Sequence, residues 1–288
     1  YNFTAMKNLL FLLFPFLALS QNNEVYLLDL NIGSNTVSVA NGKNISMNDG
    51  YDNQPSFYDD ETILFSSNHN GQNDVASYNM KSGKKTWITN TTEGGEYSPQ
   101  RIPETNEISA VRLDTTGLQL LYKIDTNGKS AVLVPNQVIG YSAFYNKDKM
   151  ISAVLNNGTL DLVINDLSAK RNDTIISGIG RSLHKVPGTE SMSYTLINED
   201  GNMDVYLLEM DSLESYYVCE LPIGIQDYAW IDRDRMILGS RSGLFMYDLM
   251  GITEWKQIAD LSNLNLDTIT RIAVSSNKKK IAIVAEKQ

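Results

Sequence analysis

Cysteine is almost absent from this sequence. Cys219 is the only one among 288 residues, so no disulfide can form within the chain and the fold must be held by its hydrophobic core. We expect Cys219 to be buried as a small apolar residue. Histidine is nearly as scarce: neither His69 nor His184 belongs to a His-x-x-x-His or Cys-x-x-Cys pair, which argues against a zinc site.

A basic surface is also missing. The chain has 24 Lys and Arg against 34 Asp and Glu, a formal net charge of −10 at pH 7. Binding to a phosphate backbone needs a basic surface, and an acidic protein is not drawn to anionic lipid. We therefore expect no nucleic-acid partner.

The motifs of several enzyme classes are absent as well. The sequence has no Gly-x-Ser-x-Gly elbow of an α/β-hydrolase and no Ser-x-Asp-x-Gly-x-Thr-Trp box of a sialidase. The segment NHNGQND, residues 68–74, is rich in oxygen ligands but lacks the spacing and final glutamate of an EF-hand. We interpret it as a hairpin, with His69 as a solvated turn residue, and expect no cofactor.

The N-terminus resembles a targeting segment. The apolar run LLFLLFPFLAL, residues 9–19, follows Lys7, and Ala18-Leu19-Ser20 forms a small-x-small cleavage site. The run is too short for a good membrane span. We therefore expect residues 1–20 to be a signal peptide, residues 21–288 to form a single domain without a membrane span, and the mature protein to be exported.

The mature chain is dominated by a repeat. Residues 74–83, DVASYNMKSG, are an apolar strand-forming run that passes through polar residues into a turn. Similar segments are EVYLLDLNIG (24–33), QLLYKIDTNG (119–128), DLVINDLSAK (161–170), DVYLLEMDSL (204–213) and GLFMYDLMGI (243–252). Each full copy follows a turn and strand such as YDDETILFSS and precedes a third run such as KTWIT, with a fourth strand plausible in the linking polar segments.

The period of the repeat indicates the fold class. Copies recur roughly every 44 residues, which is the range of propeller blades with four strands. Helical repeats of similar length would show a 3.6-residue apolar rhythm, which is missing. The sequence therefore predicts an all-β, six-bladed β-propeller of four-stranded antiparallel blades.

The order of the strands predicts how the ring closes. The chain begins with a middle strand and ends after a first strand, so one blade is split between the termini. Pairing residues 281–286 with residues 25–30 would close the ring and remove two free sheet edges.

Residues 55–89 carry a family resemblance. They contain Pro-x-Phe-x-x-Asp-x-x-Ile-x-Phe-x-Ser, then Gly-x-x-Asp-Val, then Gly-Lys-x-x-x-x-Thr, which resembles the WD-like propeller repeat of the TolB type. The resemblance implies a six-bladed scaffold that binds proteins or ligands in the Gram-negative periplasm or outside the cell. TolB itself has an additional N-terminal α/β domain, which we do not expect here because the first blade strand follows the cleavage site almost directly.

Six blade-to-blade segments predict a binding face. They read YDNQPS, GGEYSPQR, IGYSAFY, IGRSLHK, IQDYAW and TITRIA, and we expect them to be loops that converge at the mouth of the central channel. Their acidic, amide, tyrosine, arginine and histidine side chains suit a polar ligand, or simply line a solvated channel. The candidate ligand-binding residues are Asp52, Gln54, Glu96, Tyr97, Arg101, Tyr141, Arg181, His184, Asp227, Tyr228 and Arg271.

Two functions remain open from the sequence. The first is a monomeric, non-enzymatic scaffold that binds a protein, or a peptide or glycan, at the channel face. The alternative is a metal-dependent propeller hydrolase or lactonase of the calcium type, for which several oxygen ligands must converge on one point. Its candidate ligands are Asp52, Asn53, Glu96 and Asp227.

Overall fold

The computed structural model describes residues 22–33, 36–92, 94–251 and 253–287. The predicted signal peptide, residues 1–20, lies outside this part of the chain. The described residues form six antiparallel sheets of four strands each and one short 3₁₀ turn, Ser262–Leu264. The predicted fold class, an all-β six-bladed propeller, is confirmed. No helix within these residues is long and apolar enough to cross a membrane.

The blades follow one another along the chain. Blade 1 consists of β3 (Asp52–Phe57), β4 (Thr62–His69), β5 (Gln72–Asn79) and β6 (Lys84–Trp87). Blade 2 consists of β7 (Gly94–Arg101), β8 (Ile108–Asp114), β9 (Gln119–Ile124) and β10 (Ser130–Val134). Blade 3 consists of β11 (Ile139–Phe144), β12 (Lys149–Asn156), β13 (Thr159–Asp166) and β14 (Arg171–Ser177). Blade 4 consists of β15 (Ile179–Lys185), β16 (Ser191–Ile197), β17 (Met203–Glu209) and β18 (Ser215–Glu220). Blade 5 consists of β19 (Ala229–Trp230), β20 (Arg235–Ser240), β21 (Gly243–Asp248) and β22 (Lys256–Asp260). Blade 6 consists of β23 (Leu266–Val274), β24 (Lys280–Lys287), β1 (Asn23–Ile32) and β2 (Val37–Asn44).

Blade 6 closes the ring in the predicted way. β24 pairs antiparallel with β1, with Val25 opposite Val284 and Leu28 opposite Ile281. It also pairs with β23 on its other side, so strands from the two parts of the chain form one sheet. Backbone hydrogen bonds therefore join residues 23–29 to residues 280–286, and the edges of these strands are no longer free.

The second and third strands of each blade carry most of the core. Residues 281–285 of β24 are fully buried, because both faces of this strand pack against other elements. The buried apolar side chains form six clusters, one between each pair of neighbouring blades. A single blade could not bury both faces, so the clusters hold the ring together. Cys219 lies in one of them and is 5% exposed, as expected.

The segments predicted to be blade-to-blade loops are instead the inner strands of the blades, or run directly into them. They supply the fourth strand that the sequence left only plausible: YDNQPS lies largely in β3, and GGEYSPQR is the whole of β7. These strands lack a regular alternation of apolar and polar residues because their polar side chains face the channel. Five of the six also have a register shift typical of a β-bulge. Gln54 and Ser98 occupy bulges with φ of 56° and 50°.

Strand pairing defines two faces of the ring. Asp52 at the start of β3 pairs with Ser67 near the end of β4, so the start of the inner strand and the β4–β5 turn lie at the same end. We call this end, where the inner strands begin, the upper face, and the opposite end the lower face.

Candidate functional site

One side chain from the inner strand of each blade, or from the residues just before it, contributes to a polar group at the upper face. We call this group the channel cluster; it consists of Tyr51, Tyr97, Tyr141, Arg181, Asp227 and Arg271. The rings of Tyr51 and Tyr97 meet edge to face with centroids 6.0 Å apart. The Arg271 guanidinium lies 5.4 Å from the centroid of the Tyr141 ring. The repeat therefore brings residues that are far apart in sequence to one axis.

Asp227 holds the arginine side of the channel cluster in place. Its Oδ2 accepts a hydrogen bond from the Ile272 amide at 3.0 Å, and its Oδ1 accepts one from the Ser182 hydroxyl at 3.4 Å. The same Oδ1 lies 3.7 Å from Nη1 of Arg271. Asp227 is thus largely committed to backbone and hydroxyl donors, and its ion pair with Arg271 is long.

The channel cluster carries a positive charge inside an acidic protein. Two guanidinium groups face a single carboxylate among its members, while the whole chain has a net charge of −10. Burial lowers the pKa of Arg181, and the nearby Arg271 lowers it further. Burial raises the pKa of Tyr51 well above its usual value, so its hydroxyl stays protonated at neutral pH. The cluster therefore presents mainly hydrogen-bond donors.

A cavity of about 260 Å³ opens beside the channel cluster, between blades 5 and 6. Its walls come from residues 223–227, 239–241 and 268–272, together with Arg181. Arg241, in the β20–β21 turn, is thereby the third arginine at this site. Arg241 was not among the predicted residues, because a short turn within a blade gave no signal of a role at the channel.

A second polar group joins blades 1 and 2. Glu96 is fully buried and accepts hydrogen bonds from Nε of Arg112 at 3.0 Å and from the Thr89 hydroxyl at 3.0 Å. The Thr89 hydroxyl also lies 3.1 Å from Asp74, so the two carboxyl groups lie close together. Burial raises the pKa of Glu96, and Asp74 adds to the shift. These contacts are internal to the wall, and Glu96 offers no free oxygen for a ligand.

His69 is not the solvated turn residue that the sequence suggested. Its ring stacks on Trp87 with centroids 4.0 Å apart, and Nδ1 lies 2.9 Å from Asp74. Two other blades use an amide in the same way. Asn156 donates to Asp161 at 2.7 Å, and Asn198 donates to Asp204 at 3.1 Å. The His69–Asp74 pair is therefore the blade 1 version of a contact that fixes the turn between the second and third strands.

A third group lies between blades 6 and 1. Asp52 is fully buried and accepts a hydrogen bond from the Ser67 hydroxyl, while Nζ of Lys85 lies 3.7 Å from Oδ1. Glu24 is also buried there and accepts a hydrogen bond from Ser46 at 2.5 Å. Burial is the main cause that raises the pKa of Asp52 to about 6, with Glu24 adding to it against Ser67 and Lys85. This group has two carboxylates for one ammonium.

The structure separates the remaining predicted residues from the channel cluster. Arg101 ends β7 at the lower face, where it stacks on Tyr58 with its guanidinium carbon 4.7 Å from the ring centroid. Tyr228 is fully buried, and its hydroxyl donates to Ser193 of blade 4 at 2.7 Å. Oε1 of Gln54 accepts hydrogen bonds from the Ser66 hydroxyl in blade 1 and from the Ser98 amide in blade 2. The prediction that these three residues line the channel at the same face as Arg181 is corrected. Arg101 lies at the lower face, Tyr228 is packed inside the wall, and Gln54 bridges two blades.

His184 and Ser182 form a hydrogen-bonded pair. In such a pair the serine can act as a nucleophile and the histidine as its general base. Ser182 Oγ lies 2.9 Å from Nε2 of His184. However, Ser182 is 2% exposed, and Asp227 contacts the serine rather than the second nitrogen of the imidazole. A triad requires the carboxylate on that second nitrogen. Burial lowers the pKa of His184 to about 4, so it is a neutral packing partner of Tyr228.

Tyr51 belongs to the channel cluster although it is not among the residues predicted from the sequence. It immediately precedes β3 and forms an isolated bridge with Asn23. A signal was present: Tyr51, Tyr97 and Tyr141 recur at about the spacing of one blade. Aligning the tyrosines by repeat would have identified it.

The ligands named for a metal-dependent hydrolase do not meet at one point. Asp52 is bonded to Ser67, Glu96 to Arg112 and Asp227 to the Ile272 amide, while Asn53 accepts from the Gln54 amide at 2.8 Å. Over the described residues, no three His, Cys, Asp or Glu side chains are grouped as metal ligands would be.

Comparisons with known proteins identify the fold. No family model matches the sequence, and no curated protein matches it significantly. A protein described as TolB from Agrobacterium tumefaciens is similar in structure with a TM-score of 0.71 and 11% identity, over 92% of this chain and 99% of that one. TolB from Acinetobacter baumannii gives a TM-score of 0.62 and 8% identity, over 92% of this chain and 64% of that one. A structure of a nidogen–laminin complex is similar with a TM-score of 0.59 and 10% identity, over 92% of this chain and 99% of that one.

This chain has the propeller fold of the TolB structures. Identities this low establish the fold alone, because one propeller architecture supports many unrelated functions.

Proposed function

We propose that this protein is an exported, non-enzymatic β-propeller that binds a protein, or a peptide or glycan, at the upper face of its channel. The channel cluster is the observation that carries this proposal. Six blades each direct one tyrosine, arginine or aspartate to the same place, so a ligand there would touch several blades at once. Tyrosine and arginine are also among the residues that most often dominate binding energy at interfaces.

The charge of the upper face favours this location over the rest of the surface. Most of the protein repels an acidic ligand, but charges more than about 8 Å away are strongly screened at physiological salt. Close to the axis, the arginines of the channel cluster determine the local potential. A ligand with acceptor groups would find protonated tyrosine and guanidinium donors there.

The structural neighbours and the N-terminus support the other parts of the proposal. A propeller of this fold occurs in a complex between nidogen and laminin, two proteins. The apolar run before residue 20 supports export, and the resemblance to TolB-type repeats supports the periplasm or the outside of the cell.

A pair of matched variants tests the binding face. Arg181→Glu combined with Tyr141→Ala removes two members of the channel cluster, and we expect binding to a partner captured from periplasmic extract to weaken at least about tenfold, or about 1.4 kcal/mol. The control reverses Lys84 and Lys129, which are exposed near turns of the lower face. Lys85 is unsuitable as a control because its ammonium reaches Asp52.

Each variant is titrated against the captured partner, with circular dichroism as the folding control. If the lysine variant loses affinity and the channel variant keeps it, the partner binds the lower face and the proposal fails. If the channel variant is folded and binds normally, the channel cluster is only a solvated lining.

A further inference from the structure

The cavity between blades 5 and 6 has an excess of positive charge. Arg181, Arg241 and Arg271 line it, and Asp227 is the single carboxylate among the lining side chains that the structure describes. Two of the oxygen contacts of Asp227 go to the Ile272 amide and the Ser182 hydroxyl. Among the described side chains, the three guanidinium groups are therefore only partly neutralised.

The arginines also have unused hydrogen-bond donors. Each guanidinium has five N–H groups arranged to match a carboxylate or phosphate. Within the described residues, the side chain of Arg181 makes one hydrogen bond, from Nη2 to the Thr270 carbonyl at 3.3 Å, and Arg241 makes none. Nε of Arg181 and Oγ1 of Thr270 are both buried without a hydrogen-bond partner there. Buried polar groups are normally paired, so two at one cavity point to a ligand that supplies acceptors.

Part of the remaining lining of the cavity is aliphatic, beside the polar side chains of Gln226, Ser240, Thr268 and Thr270. Ile223, Ile225, Ile269 and Ile272 line it, and Ile223 is 84% exposed beside it. The volume of about 260 Å³ would hold about nine water molecules at 30 Å³ each. This is room for one small group rather than a large ligand, and the lining combines oxyanion recognition with an apolar surface.

We propose that this cavity binds a carboxylate that has an aliphatic group attached to it. In this assignment Arg181 and Arg241 hold the carboxylate from two sides, Arg271 adds charge, and the isoleucines contact the aliphatic group. The C-terminal residue of a peptide and a free branched-chain acid share this chemistry. The assignment deepens the proposed function and rests on it only in taking the upper face as the binding face.

Four small probes test the chemistry on the full chain without any partner protein. N-acetyl-leucine represents a peptide C-terminus, isovalerate a free acid, N-acetylleucinamide the same side chain without the charge, and inorganic phosphate an oxyanion without an aliphatic group. By calorimetric titration we expect N-acetyl-leucine to bind with a dissociation constant on the order of 1 mM, as small fragments do. The amide and phosphate should each bind at least tenfold more weakly, and isovalerate shows whether the acetylamino group matters.

Variants connect the binding to the cavity. Arg181→Gln and Arg241→Gln should each weaken the binding of N-acetyl-leucine at least tenfold, while Lys84→Gln on the lower face should leave it unchanged. Arg241 is exposed, so its variant is expected to fold normally and remains informative if Arg181→Gln does not. Thermal melts of all three variants verify folding.

Several results would overturn the assignment. Equal binding of the acid and the amide would show that the arginines do not recognise a carboxylate, and equal binding of phosphate would show no selection for the aliphatic group. Undiminished binding to folded Arg241→Gln would place the site elsewhere. These failures differ from failure of the proposed function, which is measured with the captured partner and the channel variant: probes that do not bind, with a channel variant that still loses its partner, would reject this inference alone.

Discussion

Asp52 offers a quantitative test of how buried charge is balanced between blades 6 and 1. The carboxyl group is fully buried, and its pKa rises to about 6 from the ordinary 3.8. Burial also lowers the pKa of Lys85, so both members of the pair shift toward their neutral forms. Desolvation therefore outweighs the attraction across the 3.7 Å that separates Lys85 Nζ from Asp52 Oδ1.

The sign of the pH dependence follows from this shift. The folded state holds the proton of Asp52 more tightly than the unfolded state, so ionisation costs stability. The cost is absent below about pH 4, grows as the pH rises toward 6 and is complete above about pH 7. A shift of about two pKa units corresponds to about 3 kcal/mol.

Replacing Asp52 by asparagine removes the charge and keeps the shape. Lys85 retains Glu24 as a nearby carboxylate, so the group becomes neutral overall. We expect Asp52→Asn to be more stable than the parent protein at pH 8 by up to about 3 kcal/mol, with the difference falling to near zero at pH 4. This value already includes the attraction to Lys85, because that attraction opposes burial within the shift itself.

Urea unfolding at pH 4, 6 and 8, followed by the fluorescence of Trp87, Trp230 and Trp255, measures the effect. Asp173→Asn is the matched control, since its carboxyl group is 45% exposed and pairs with Arg171 at the surface. We expect that variant to stay within about 0.5 kcal/mol of the parent protein at every pH. An Asp52→Asn protein that is less stable at pH 8, or whose difference from the parent does not shrink toward pH 4, would refute the argument that burial dominates at this site.

Two other predictions concern closure of the ring and export. Deleting residues 280–288 removes β24 from the middle of blade 6. Ile281, Ile283 and Val284 are fully buried there, and burial of each side chain stabilises the fold by about 1.5–3 kcal/mol. We therefore expect solubility and melting assays to show an insoluble or far less stable protein. A soluble deletion variant with an unchanged melting temperature would contradict the closure by β1 and β24. If residues 1–20 are a signal peptide, N-terminal mass analysis of protein from its native cells should find Gln21 first, in the periplasmic or extracellular fraction. Recovery from the cytoplasm with Met6 intact would contradict export.

The fold was predictable from the sequence because the second and third strands are buried on both faces. Strands such as β12 and β24 then appear as continuous apolar runs that recur once per blade. The inner strands were mistaken for loops because their polar side chains face the channel and bulges interrupt their alternation. Their pattern matches that of a turn-rich linker, and only the ring geometry distinguishes the two.

The candidate site was predictable in part for the same reason. Tyr97, Tyr141, Arg181, Asp227 and Arg271 follow from the position of each segment in the repeat. Position along a strand was harder to judge. β7 has eight residues and runs from the upper face to the lower face. Glu96 therefore lies at the upper face and Arg101 at the lower face. Tyr228 and Ser193 pair across two blades that sequence spacing does not connect.

The polar groups at the upper face differ in whether they line the cavity, and this difference indicates where a ligand would bind. On the side of blades 6, 1 and 2, Asp52 and Glu96 are fully buried, and each accepts hydrogen bonds within the wall. Oδ2 of Asp52 also lacks a partner among the described residues, but neither residue lines the cavity. On the side of blades 4 to 6, Arg181 retains a buried donor without a partner, and the exposed Arg241 makes no side-chain hydrogen bond among the described residues. Stability of the ring depends on the six apolar clusters between blades, to which neither arginine belongs. Changes at these two arginines should therefore separate binding from folding, whereas changes at Asp52 or Glu96 would alter both.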